Sequence, residues 1–216
     1  LAAQLRHYAT GRTFAELGEA LTANAYLGGW GIVAALDAGA DIVVTGRVSD
    51  ASLVVGPAAW HHGWEPTDFD QLAGAVAAGH VIECGAQATG GNYSFLAEVE
   101  GIPGFPFAEV AADGSSVISK HPGTGGLVSV GTVTAQLLYE IGAPAYPNPD
   151  VVARLDTLSP DEKRTAQDAA VVGRGSRADS RWGARRAGPR RPRRSGGASW
   201  SHQARGSPQA QQEAGA

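Results

Sequence analysis

After Leu158 the chain contains no Leu, Ile, Phe or Tyr, and this break limits what it can fold into. The segment that follows is built mainly from Arg, Gly, Ala, Pro, Ser and Gln, with Trp182 and Trp200 isolated within it. Such a composition cannot bury enough apolar surface to offset about 1–2 kcal/mol of backbone entropy per ordered residue. Charge divides at the same place. Residues 1–160 hold 5 Lys and Arg against 16 Asp and Glu, a net of −11, while residues 161–216 hold 12 against 5, a net of +7. The expectation is an incomplete α/β domain over residues 1–158 and an Arg/Gly/Ala/Pro-rich disordered tail over 159–216. The tail has the composition of GC-rich DNA translated out of frame. Arg-rich tails can bind nucleic acid through phosphates, but we read this one as a solvated linker or an out-of-frame product.

The remaining bulk properties are ordinary. A hydrophobic fraction of 43% and a net charge of −4 suit a globular chain. Cys84 is the only cysteine, which excludes an internal disulfide and suits a reducing compartment. No apolar run is long enough for a spanning helix, and no signal-peptide pattern opens the chain. A cytoplasmic location is the default expectation. The chain contains no Met, so Leu1 is expected to lie inside a longer domain.

Periodicity gives a mixed α/β pattern with a partly parallel sheet, crossover helices and one β-hairpin. "LTANAYL" reads as a strand ending at Gly28 and Gly29, "WGIVAALDAG" as a short helix stopped at Gly39, and "DIVVTG" as a buried parallel strand. Together they make one crossover unit. Ser49 or Asp50 is placed to cap the apolar stretch that follows, and Asp68 to cap a helix carrying Leu72, Val76 and His80. Asp113-Gly114 between two alternating runs signals the hairpin. "GLVSVGTVTAQLLYEIG" reads as a helix ending at Gly142, and "PDVVARLDTL" as a further strand.

Gly29, Gly31 and Ala34 satisfy the G-x-G-x-x-A pattern of dinucleotide sites, with Arg47 where an NADP 2′-phosphate would be met. The helix after the pattern is short for that fold, and no Tyr is followed four positions later by Lys, as short-chain dehydrogenases require. An NADP-binding oxidoreductase is therefore a minor alternative.

Several polar clusters can carry chemistry. Arg47 and Asp50 share a loop at a strand end, where the first can hold a carboxylate or phosphate and the second can act as a base. His80, Glu83 and Cys84 lie on one helical face, as an acid/base set, metal ligands or plain core residues. His61 and His62 beside Trp60 and Trp64 can add ligands, although adjacent histidines on a helix point apart; we assign no metal. "GAQATGGNYSF" gathers Gln87, Thr89, Asn92, Tyr93 and Ser94 around paired glycines, a set suited to hydrogen bonding a ligand. "SKHPGTGGL" is not a Walker loop, because Leu127 rather than Lys follows Gly126. Its glycines nonetheless let backbone amides approach an anion, and a helix starting near Gly126 would add its dipole.

Three long stretches carry a family resemblance: "ANAYLGGWGIVAALDAGADIVVTGRVSDASLVVGPAAW", "AGHVIECGAQATGGNYSF" and "ADGSSVISKHPGTGGLVSVGTVTAQLLYEIG". In this order, over about Thr13 to Leu158, they resemble the acyclic terpene utilisation (AtuA-like) family, named for bacterial catabolism of citronellol and geraniol. The resemblance implies a cytoplasmic enzyme of terpene catabolism acting on branched acyl-CoA or carboxylated intermediates, as a lyase or hydratase. It transfers no catalytic residue and no cofactor. Family members extend further at both ends, which marks this chain as a central fragment. From the residues themselves we take Asp50, Glu83 and His121 as catalytic candidates. Asn24, Arg47, Asn92, Lys120, Gly123, Thr124, Gly125 and Gly126 are taken as substrate- or anion-binding candidates. The expected partner is a small molecule such as a CoA thioester; no membrane partner is expected, and a homo-oligomer stays open. A non-catalytic ligand-binding or assembly subunit is the alternative from a different class.

Resequencing the DNA on either side of codon 158 tests the reading-frame expectation. A single-base change should restore an apolar, patterned sequence after Leu158; an unchanged frame makes the basic tail genuine.

Overall fold

The small side chains of "LAGAVAAGHV" let one helix be covered on every side. The computed structural model describes residues 10–13, 16, 24–162, 169–172 and 177–178, all within one unit spanning residues 1–186. Four helices run over Trp30–Asp37 (α1), Ser52–His62 (α2), Phe69–Ile82 (α3) and Val130–Leu138 (α4). Every residue of α3 from Leu72 to Val81 is buried, as a helix apolar all round must be. Leu72, Val76 and His80 form the expected inward spacing.

Two antiparallel sheets surround this helix. Strands Pro106–Val110 (β1) and Ser116–Lys120 (β2) form the hairpin, and Ala145–Pro147 (β3) pairs with Val152–Arg154 (β4). Strand pairing continues beyond Leu158 through Pro160–Glu162 (β5), Ala169–Val172 (β6) and Arg177–Ala178 (β7). The sheet orders are β1-β2-β6-β5 and β3-β4-β7. The disorder expected of the tail falls otherwise on residues outside the described set.

The hairpin turn follows its chemistry. The Ser115 amide donates to Asp113 Oδ1 at 3.0 Å, Gly114 takes φ +83°, and the Ala111 amide closes on the Ser115 carbonyl at 2.8 Å. His62 and Trp64 fasten α2 to this hairpin: the His62 ring bonds the Val110 carbonyl through Nε2, and Trp64 Nε1 donates to the Ala112 carbonyl, each at 3.0 Å. Two apolar clusters flank α3. One joins Val55, Ala59, Trp64, Leu72, Val76 and Val151; the other joins Val81, Ile118, Val133 and Leu137.

The parallel pairing is reduced to two isolated bridges, Leu27 with Val48 and Pro103 with Gly125. Leu27 donates to the Arg47 carbonyl at 3.2 Å and accepts from the Ser49 amide at 2.9 Å, so α1 sits within a crossover one bridge long. The expected strand over "DIVVTG" does not form, and Ile42 and Val44 are 83% and 92% exposed. A β-branched run needs a ladder partner, and none lies beside it among the described residues.

Helix caps also differ from expectation. The N-cap of α2 is Ala51, with no side-chain cap; the Ser49 hydroxyl instead meets Ser52 Oγ and Asn148 Oδ1. Asp68 occupies the N-cap of α3, but its carboxylate accepts from the Glu65 amide behind it. Helix α4 starts at Val130 rather than near Gly126, because Ser129 and Thr132 form a reciprocal capping box there. It ends at Leu138, well before Gly142.

Gly74 of α3 faces the hairpin turn so closely that a Cβ would overlap the Gly114 carbonyl. Gly74→Ala should lose about 1–3 kcal/mol by overpacking, read as a lowered urea midpoint. Gly31→Ala in α1, where a Cβ meets nothing within 4 Å, should hold or raise the midpoint.

Candidate functional site

Asp50 stands at the end of a loop that the Leu27 bridge fixes, one residue before the N-cap of α2. Glu83 and Cys84 stand at the end of α3. The packing of α2 on α3 brings these ends together around a cavity of about 520 Å³. Leu53 and Val54 form its wall on the α2 side, and Gly79, Ile82, Glu83 and Cys84 on the α3 side, while Asp50 and Glu140 complete the lining. Two of the three catalytic candidates thus share one cavity, and among the described residues no Lys or Arg lines it.

Glu140 is the residue that sequence reading missed. It is the one non-glycine residue with positive φ among the described residues, at 58°. A left-handed non-glycine residue costs about 1–3 kcal/mol of local strain, at a position after a helix where Gly is usual. The turn after α4 adopts it all the same, and Glu140 there lines the cavity.

The carboxylates set the local electrostatics. Burial raises the Cys84 thiol pKa above its ordinary value; the charges of Glu83, Glu140 and Asp50 raise it further, and a hydrogen bond with Gln136 opposes them. Burial likewise raises the Tyr146 hydroxyl, followed by the charge of Glu83, with a hydrogen bond to Asn148 opposing. Cys84 is therefore held as a thiol.

His80 is buried and contacts Glu83 through Nδ1 at 3.2 Å. Its ring lies against Tyr146, with centroids 5.1 Å apart. His80 and Glu83 therefore form a pair, as their spacing suggested. Among the described residues, no group of three or more His, Cys, Asp or Glu could hold a metal ion. His62 stacks on Trp64 and serves the hairpin contact.

Three polar loops converge near Asp50. Ser49 Oγ donates to Asn148 Oδ1 at 2.9 Å, and the Gly29 amide donates to Asp150 Oδ2 at 2.7 Å. The N-terminus of α1, where the G-x-G-x-x-A pattern would seat a pyrophosphate, therefore carries the chain's own carboxylate. A Cβ on Gly28 would overlap that same carboxylate. Arg47 is exposed, with its guanidinium 5.4 Å from the centre of the Tyr26 ring, and Asn24 is exposed on the facing segment.

The remaining candidates lie elsewhere. Asn92 Nδ2 donates to Gln87 Oε1 at 3.1 Å and to Gln136 Oε1 at 2.7 Å, which commits both of its amide hydrogens inside the protein. Lys120 is buried at the end of β2, where Nζ donates to the Thr124 carbonyl at 2.8 Å. His121 and Gly123 are exposed, the His121 ring lies 5.1 Å from that of Phe107, and Thr124 Oγ1 donates to the His121 carbonyl. The amides of Thr124, Gly126 and Leu127 bond to the carbonyls of His121, Glu100 and Thr89. A Cβ on Gly125 would overlap the Ile102 carbonyl, and one on Gly126 would come within 2.6 Å of the Thr89 carbonyl. These two glycines let two backbone segments touch. None of residues 120–126 lines the cavity.

One family model matches the chain: "Acyclic terpene utilisation family protein AtuA", over residues 1–177. No curated protein and no solved structure matches. Among the described residues no helix is long and apolar enough to cross a membrane.

The raised thiol predicts slow alkylation of Cys84 by iodoacetamide at neutral pH, because little thiolate is present. Glu83→Gln or Glu140→Gln removes a charge that raises the pKa, so the pH–rate curve should move to lower pH and the neutral rate should rise. Burial stays in place, so neither variant should restore the rate of a free thiol.

Proposed function

The chain belongs to the acyclic terpene utilisation (AtuA) family, and on that premise we propose that it acts as a lyase or hydratase on branched acyl-CoA or carboxylated intermediates of terpene catabolism. The observation that carries this reading is the cavity shared by Asp50 and Glu83. Acid/base chemistry at a carbon chain needs two proton-carrying groups on one pocket, and Asp50 and Glu83 are carboxyl groups that share this one.

For hydration of a branched 2-enoyl thioester, Glu83 takes a proton from water as the water oxygen bonds to the β-carbon. Asp50, in its acid form, gives a proton to the α-carbon. One water is added and nothing else is consumed; the reverse sequence eliminates water. Solvent returns the two carboxyl groups to their starting states between turnovers.

Arg47, one loop position from Val48 and three from Asp50, would hold a carboxylate or phosphate, with Asn24 opposite it. A CoA thioester is long, so its phosphates engage residues away from the reacting carbons. On this reading the exposed His121 and Gly123 take that part, with Lys120, Thr124, Gly125 and Gly126 holding the loop that presents them, and Asn92 orders the polar loop. No cofactor enters the reading. A cytoplasmic location follows it, since CoA thioesters are made and consumed there.

A thermal-shift titration of the full chain with branched acyl-CoA and enoyl-CoA thioesters should raise the melting temperature. Asp50→Asn and Glu83→Gln should each lower hydration by about 10²–10⁴-fold. No stabilisation by any thioester would overturn the reading. Stabilisation by a thioester with no turnover would instead point to a ligand-binding subunit, and full activity in Asp50→Asn would remove Asp50 from the chemistry.

A further inference from the structure

His80 is a buried titratable residue to which the chemistry above gives no part. It is 1% exposed, in the most enclosed stretch of α3. Its carbonyl accepts from Gln136 Nε2 at 3.4 Å and its ring packs on Tyr146. Nδ1 faces Glu83 Oε1 at 3.2 Å, while Nε2 and Glu83 Oε2 are both buried without a hydrogen-bond partner.

We infer that His80 is a positioning residue for Glu83: its ring proton resides on Nδ1 and is donated to Oε1, which fixes the carboxylate at the cavity that Glu83 lines. A proton on Nε2 would be a buried donor with no acceptor, and orphaned buried N–H groups are rarer than orphaned acceptors. It would also set the Nδ1 lone pair against the carboxylate. A proton on Nδ1 satisfies both ring and carboxylate, with Nε2 left as a bare, buried lone pair. Glu83 is then fixed at one oxygen. A group held this way loses little order when it reacts, which is how neighbouring residues preorganise a base.

The inference rests on the proposed role of Glu83, but its first test needs no substrate. Nitrogen-15 spectra of the full chain at neutral pH, with His80 assigned by its loss in His80→Asn, should show Nδ1 as a protonated and Nε2 as an unprotonated ring nitrogen. Glu83→Ala should move the proton toward Nε2. A wild-type ring protonated on Nε2 overturns the inference, and that spectrum alone decides it if the variant does not fold.

The second test is kinetic, using hydration of 3-methyl-2-butenoyl-CoA. His80→Leu should lower kcat by about 10²-fold with KM little changed, as loss of orientation predicts. His80→Asn keeps a donor near Nδ1 and should stay within about tenfold of wild type, since a misplaced group is restored rather than replaced. Equal losses in both variants would overturn the positioning role. Should no thioester turn over, the hydration reading falls, while the expected nitrogen spectrum still upholds the His80–Glu83 pair.

Discussion

The fold depends on the ability of α3 to be touched from every side. Gly and Ala at Ala73, Gly74, Ala75, Ala77, Ala78 and Gly79 keep the helix thin, so α2, α4 and both sheets approach it closely. Larger residues there would push the neighbouring elements outward. The cavity exists because the same helix ends where α2 begins, with the chain direction of each leaving a polar terminus at the junction. Close packing therefore comes first in the causal order, and the chemistry of the junction follows from it.

Legibility in the sequence tracked how local the deciding forces are. The hairpin was legible because Asp113 and Gly114 determine their own turn. Helix α3 was legible because its apolar spacing is continuous. The "DIVVTG" segment was misread because a strand is made by its neighbour, and its own β-branched residues supply only half of the requirement. The caps of α2 and α3 failed in a similar way. Ser49 and Asp68 have the right side chains for capping, but Asn148 and the Glu65 amide compete for them from outside the helix.

The site was partly legible for the same reason. Asp50 was singled out because it shares a strand-end loop with Arg47, and Glu83 because it shares one helical face with His80 and Cys84. Their shared cavity is a product of helix packing that no spacing encodes. Glu140 was hidden, because a left-handed residue after a helix is ordinarily Gly and the nearby Gly142 looked like the stop. The glycines of "HPGTGG" were visible, but as anion contacts. In the structure Gly125 and Gly126 serve contact between two backbones, a role that looks identical in one dimension.

The carboxylate at the start of α1 has a consequence for the order in which the protein is made. Gly29 and Asp150 lie 121 positions apart, so this hydrogen bond joins an early part of the chain to a late one. While the ribosome is still producing the intervening helices and the hairpin, the first amides of α1 face solvent. The helix end that looks most self-sufficient in the sequence is closed only after nearly the whole described chain has emerged. Synthesis from the N-terminus thus leaves this end of the domain open longest, and Asp150 closes it.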